Sequence, residues 1–156
     1  MILHRNGEEY PVSFLPLTKA DVKFMNKTGW EPSFDWNIYF NAPKVEVYKM
    51  VVTGDPSGTI QGAIALEKKE DHVFMLLIES SPRNRDPINK QFSHIGAHLF
   101  AFCCKRSMEL GHEGFIGLKA KTKLVNYFSS LGAVPISGQD MIVSETTAQH
   151  LVNVYL

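Results

Sequence analysis

Cysteine is scarce in this chain. Its 156 residues include two, Cys103 and Cys104, adjacent in sequence. Sequence neighbours rarely bridge each other, and two thiols make neither a disulfide framework nor a spaced zinc set. Reduced thiols inside a helix fit a cytoplasmic protein. Long apolar runs are missing too. No window approaches the roughly 20 residues that a membrane-spanning helix needs, and Met1-Ile2-Leu3-His4-Arg5 turns polar too early for a signal peptide. Nor is there an excess of charge: 16 basic residues balance 16 acidic ones, so no overall field draws nucleic acid or anionic lipid. Neither partner is expected. His72, His112 and His150 show no metal-ligand spacing. The 44% hydrophobic and 21% charged residues are ordinary proportions, which over this length suit one soluble domain, 1–156, with its own core.

Turn residues divide the chain. Asn6-Gly7 supplies a type I′ hairpin turn, followed by Tyr10, Val12 and Phe14 on a strand that Pro11 confines to an edge. Thr18 caps a short helix ending before Gly29. Trp30, Phe34, Trp36, Tyr39 and Phe40 make the following loop aromatic. Residues 1–43 thus form an N-terminal hairpin, a short helix and an aromatic loop. Val45–Thr53, Thr59–Leu66 and His72–Ile78 read as strands joined by tight turns, hence an antiparallel meander. The third is apolar on both faces, as a central strand should be. After a loop rich in Pro, Arg and Asn, a helix is expected from about Phe92 to Leu110, with Ile95, Leu99 and Cys103 on one face. Gly114–Leu118 reads as a buried strand, Lys121–Ser130 as a second helix, and Ala133–Ser137 with Met141–Ser144 as a terminal strand pair. Residues 44–144 hold this core, and 145–156 form a C-terminal helix capped by Ser144. The order β-β-β-α-β-α-β-β makes an α/β (α+β) fold: a mixed, twisted sheet around a right-handed β-α-β crossover from Phe74 to Leu118.

The chemistry concentrates at the end of the third meander strand and the start of the helix after it. Unpaired amides and the positive end of the dipole make a helix N-terminus suitable for a diphosphate, and Gly96-Ala97 would let the phosphates reach the backbone. A glycine in an early helical turn more often serves packing against a neighbouring strand. Cys103-Cys104, mid-helix on an apolar segment, read as buried residues rather than nucleophiles. Trp30, Phe34, Asp35 and Trp36 either shape a substrate slot or pin the loop to the core, and pinning is the stronger reading.

Four segments carry a resemblance. Gln91-Phe92-Ser93-His94-Ile95-Gly96-Ala97 is similar to motif A of the GNAT superfamily of N-acetyltransferases, Gln/Arg-x-x-Gly-x-Gly/Ala before an apolar helix. Tyr127-Phe128-Ser129-Ser130-Leu131-Gly132-Ala133 resembles the aromatic-rich helix end of motif B. Glu79-Ser80-Ser81-Pro82-Arg83-Asn84 and Ala120-Lys121-Thr122-Lys123-Leu124 look like a bacterial branch with Glu-x-x-Pro-x-Asn after the central strand. Two features depart from the pattern. His94 replaces the first motif A glycine, either donating to a phosphate oxygen or simply facing solvent, and the loop Pro82–Lys90 is longer than usual.

The resemblance implies a GNAT-like acyl-CoA N-acyltransferase fold with a splayed strand pair, and an enzyme moving an acetyl group from acetyl-CoA directly to an amine, without metal. Acetyl-CoA and an amine acceptor are the implied partners, and a homodimer through the terminal strands is allowed. Backbone groups near Ile78, Glu79 and Ser80 would pair with the pantetheine arm. Gln91, Phe92, Ser93, His94, Ile95, Gly96 and Ala97 would hold the diphosphate. Tyr127 would be the general acid for the leaving thiolate, although in the commonest family spacing Phe128 stands in its place. Glu79, read as sharing a face with Val73, Met75 and Leu77, would be the general base. The alternative is a GNAT-fold module that binds acyl-CoA or a protein without turnover.

Overall fold

A computed structural model describes residues 1–156. Two sheets organise it. β1 (Ile2–His4), β2 (Glu9–Tyr10) and a later strand form a small three-stranded sheet with β1 in the middle. The turn between β1 and β2 is not the expected type I′. Only Gly7 has positive φ, while the Asn6 side chain accepts from the Glu8 amide at 2.8 Å. An Asx turn has replaced the second left-handed residue.

The main sheet begins at its edge with β3 (Val12–Pro16), which has Pro11 immediately before it. α1 (Lys19–Lys27) starts at a capping box in which Thr18 and Asp21 bond each other's backbone amides. β4 (Val45–Val52), β5 (Ile60–Lys68) and β6 (Val73–Ser80) run as the antiparallel meander. The next expected helix starts three residues late. Phe92–Ser93 forms β7, pairing with β1, and α2 then runs from Ile95 to Glu109. The N-terminal hairpin offers β7 a strand partner, and a tertiary contact of that kind has no local signal.

β8 (Ile116–Lys119) is parallel to β6, completing the crossover. A 3₁₀ turn at Thr122–Leu124 leads into α3 (Val125–Ser130). β9 (Val134–Ser137), β10 (Asp140–Val143) and α4 (Glu145–Tyr155) follow, with Ser144 capping the last helix. The main sheet has seven strands in the order β3-β4-β5-β6-β8-β10-β9, so β6 is central.

Alternation along the strands builds two cores. Ile64 and Leu66 of β5, Val73 and Met75 of β6, and Ile116 and Leu118 of β8 pack beneath α2 and α4. Gly62 lets α2 press on the sheet, since a Cβ there would lie 2.8 Å from Ile95. Ala63 and Ala65 face the other way, and their small side chains leave room for α1 and for buried Trp30 and Trp36. Cys103 and Cys104 are fully buried in the first core. Burial pushes both thiols up, that of Cys104 to about 12, so neither is a ready nucleophile.

Candidate functional site

The site is set by an irregularity in β6. Ala65 pairs with Leu77, but the next residue of β5, Leu66, pairs with Met75, leaving Leu76 as a bulge. An extra residue reverses which side chains face each core. Val73 and Met75 point to the α2 side, whereas Leu76 and Leu77 pack in the aromatic-loop core. Glu79 therefore does not share a face with Val73 and Met75. The period-2 reading fails there because it assumes an unbroken pleat.

At the bulge β6 and β8 part company. Their pairing covers Val73↔Ile116, Phe74↔Gly117 and Met75↔Leu118, and stops. β8 continues along β10, with Lys119 opposite Asp140. Beyond Met75 the β8-facing edge of β6 has no strand partner, so the predicted splay is present. Ile78 and Glu79 lie on this stretch. The Ser80 carbonyl is already taken by Arg85 Nε at 2.9 Å.

Next to the opening is a cleft of about 470 Å³. Ser80, Phe92, Ser93, His94, Ile95, Gly96, Ala97 and Tyr127 all line it, bringing together most of the residues singled out from the sequence. Gln91 is elsewhere, bordering a separate hollow with Arg83, Gln61 and His4. At the mouth of α2, His98 is the first residue whose amide is satisfied by the helix, bonding the His94 carbonyl at 3.1 Å. The amides of Ile95, Gly96 and Ala97 precede it and receive no side-chain cap.

Gly96 has a use that sequence reasoning did not foresee. A Cβ built on it would lie 2.2 Å from the Tyr127 hydroxyl oxygen, so the phenol rests directly on the glycine. Desolvation, helped by the nearby Tyr155, pushes the Tyr127 hydroxyl above its ordinary value. The residue is nevertheless 41% exposed. Its neighbour Phe128 is buried against Phe100 and cannot reach the cleft as an acid.

Glu79 is placed differently from the general base anticipated. It is 4% exposed. One carboxylate oxygen accepts from the Glu31 amide at 2.8 Å and is ion-paired with Arg85 Nη2. The other accepts from the Trp36 indole at 3.0 Å. With donors on both oxygens, the carboxylate ties the aromatic loop to the end of β6.

Several residues here carried no separate sequence signal. Asn84 is buried and uses its whole amide: Nδ2 donates to the Gln61 side chain at 3.0 Å, and Oδ1 accepts from the Phe92 amide at 3.0 Å. It thereby closes the base of the loop 81–91 and sets where α2 begins. Asn84 itself, with Lys90, Ser130, Leu131 and Tyr155, completes the lining of the cleft. Asn84 is the last residue of the Glu-x-x-Pro-x-Asn run, the one hint available for it.

No group of His, Cys, Asp and Glu is arranged to hold a metal ion, and no helix is long and apolar enough to cross a membrane. No family model matches the sequence, and no curated protein matches it. Solved structures do. A chimera of the Vibrio cholerae spermidine N-acetyltransferase SpeG and hSSAT superposes with a TM-score of 0.62 at 13% identity, covering 88% of this chain and 98% of that one. The Escherichia coli ribosomal-protein-S18-alanine N-acetyltransferase gives 0.59 at 10% identity, covering 85% and 90%. A Klebsiella pneumoniae protein assigned provisionally to the acyl-CoA N-acyltransferases gives 0.58 at 12%, covering 85% and 94%. The fold is that of the GNAT N-acetyltransferases. Within this GNAT fold, the bulged β6, the splay and the start of α2 form one continuous feature.

Proposed function

We propose that the chain is an N-acetyltransferase that moves the acetyl group of acetyl-CoA to an amine by direct transfer. The observation that carries this reading is the splay: β6 and β8 pair only as far as Met75 and Leu118. A pantetheine arm entering there would find unpaired backbone along Leu76–Glu79, and its diphosphate would meet the amides of Ile95, Gly96 and Ala97. A backbone N–H of β6 near Ile78 would polarise the thioester carbonyl.

The amine nitrogen attacks the thioester carbon, a C–N bond forms, and the C–S bond breaks. The leaving sulfur takes the Tyr127 proton, from a hydroxyl that lies against Gly96 in the cleft shared with Ser80. The amine's own proton passes to solvent, since Glu79 is buried and held by the Glu31 amide, the Trp36 indole and Arg85. Glu79 becomes a positioning residue that holds the Glu31–Trp36 loop against the reaction face. The fold neighbours acting on spermidine and on a ribosomal-protein alanine support an amine acceptor as a class, without choosing one.

The engaged Glu79 also favours the second reading, a module that binds acyl-CoA without turnover. One experiment separates the two. Thermal stabilisation by acetyl-CoA is measured alongside thiol release with pooled polyamines, amino acids and peptides. Stabilisation with thiol release, and a Tyr127→Phe variant that keeps the stabilisation but loses turnover, is the expected outcome. Stabilisation without release assigns the binding module. No stabilisation by any acyl-CoA removes both readings.

A further inference from the structure

We propose that a second hollow, separate from the cleft at the start of α2, binds a small organic carboxylate bearing one negative charge. The hollow is about 450 Å³ and lies between the N-terminal hairpin, the β4–β5 turn and the loop 81–91. Phe92 is the one residue that lines both spaces. The acyl-transfer reading makes no use of Gln61, Arg83 or His4, which furnish the hollow.

The first observation is a buried donor without a partner. Gln61 on β5 is 3% exposed and lines the hollow. The orientation of its amide is forced from the backbone outward. The Phe92 N–H can only donate, so the Asn84 atom 3.0 Å from it is Oδ1. Asn84 Nδ2 therefore donates to Gln61 at 3.0 Å, and the atom that accepts is Oε1. Gln61 Nε2 is left on the other side of the amide, with no acceptor in the chain. No fully enclosed side-chain nitrogen or oxygen lacks a partner, so Nε2 opens on the hollow. A donor buried to this degree is costly until something accepts from it, and the hollow is where that acceptor must sit.

The second observation is a cation without a counter-ion. Arg85 is ion-paired with Glu79, whereas the Arg83 guanidinium on the lining pairs with no carboxylate. The carboxylate that shares the lining, Asp55, is engaged on its own turn. It accepts from the Ser57 hydroxyl at 2.8 Å and the Ser57 amide at 2.9 Å, and these bonds hold its pKa below the ordinary value. His4 adds a third donor: the Asn6 amide donates to its Nδ1 at 3.1 Å, which puts the proton of the neutral ring on Nε2. A guanidinium fork matches a carboxylate. One free cation balances one negative charge, and the fixed charge of Asp55 disfavours a phosphate dianion. Tyr10 and Phe92 give the organic part of the ligand an aromatic wall.

Two-dimensional ¹H–¹⁵N NMR of the full chain, titrated with benzoate and with acetate at constant ionic strength, tests the site. The Gln61 side-chain NH₂ signal and the His4 and Phe92 amides are expected to shift saturably, with a dissociation constant on the order of 1 mM for benzoate. Gln61→Glu keeps an oxygen for Asn84 and turns the free donor into an acceptor. Arg83→Gln removes the cation. Each is expected to weaken benzoate binding at least tenfold, read from the His4 and Phe92 amides. Non-saturating shifts with both carboxylates overturn the proposal, as do shifts that chloride reproduces. So do wild-type affinity in either folded variant, tighter binding of inorganic phosphate than of either carboxylate, and displacement of benzoate by acetyl-CoA, which would make the hollow part of the cleft. Should Gln61→Glu fail to fold, Arg83→Gln carries the test, because its side chain is exposed and pairs with nothing in the fold. The site does not rest on the acyl-CoA reading, so failure to bind acetyl-CoA leaves this test in force.

Discussion

Replacing Glu79 by Gln distinguishes a carboxylate that positions from one that takes a proton. The carboxylate has three donors on it: the Glu31 amide, the Trp36 indole N–H and the Arg85 guanidinium. Glutamine keeps the shape, loses the charge and substitutes an NH₂ for one oxygen. That NH₂ must face one of two buried donors, the amide or the indole, so one donor loses its acceptor. A hydrogen bond to a charged group contributes about 1.5–3 kcal/mol, and a buried unsatisfied donor costs about 1–3 kcal/mol. Arg85 is 38% exposed and turns to water, so its share is small. A net loss of about 3 kcal/mol follows, or roughly 6–12 °C in melting temperature for a chain of this size. Thermal unfolding by circular dichroism reads the shift, and a pH–rate profile of the surviving activity reads the chemistry. The expected result is a lower melting temperature with the shape of the profile retained. A melting temperature within 2 °C of wild type, with the acid limb of the profile abolished, would refute the positioning argument and restore Glu79 as the base.

Other expectations follow from the same geometry. Gly96→Ala puts a methyl 2.2 Å from the Tyr127 hydroxyl and 3.2 Å from Cζ, so the ring must leave. Because the hydroxyl end of a half-exposed tyrosine can shift, the melting temperature should change little while kcat falls at least tenfold; unchanged kcat would detach Tyr127 from the reaction. Away from the cleft, hydrogen bonds from Arg106 hold the Glu46 carboxyl down at about 2, below its ordinary 4.5. That pair therefore stabilises the fold fully above about pH 4.5, and the stabilisation fades as pH falls toward 2. Urea denaturation of wild type and Arg106→Gln should show a gap on the order of 2 kcal/mol at pH 6 that narrows by pH 3. A gap independent of pH would mean that the arginine contributes through packing alone.

Much was legible along the chain because the signals are local. Thr18 and Ser144 cap helices, Gly29, Gly111 and Gly132 follow helices with positive φ, and tight turns make the meander antiparallel. The apolar third strand fell at the centre of the sheet, and the order of elements around β6, α2 and β8 was enough to place a cleft beside the start of α2. Such features depend on a few consecutive residues and their conformational preferences.

The tertiary structure decided what depends on residues far apart. A bulge at Leu76 is a matter of register with β5, and register turned Glu79 toward Trp36 and Glu31, 43 and 48 positions away in sequence. Pairing with β1 made Phe92 and Ser93 a strand and moved the helix start to Ile95. Gly96 was read as room for a phosphate, and packing showed it also to be room for Tyr127. Composition and periodicity set which elements form, because those follow from each residue's own backbone and its near neighbours. Which oxygen meets which donor is set only when separate elements close on one another, since that depends on a register and a contact distance no single segment contains.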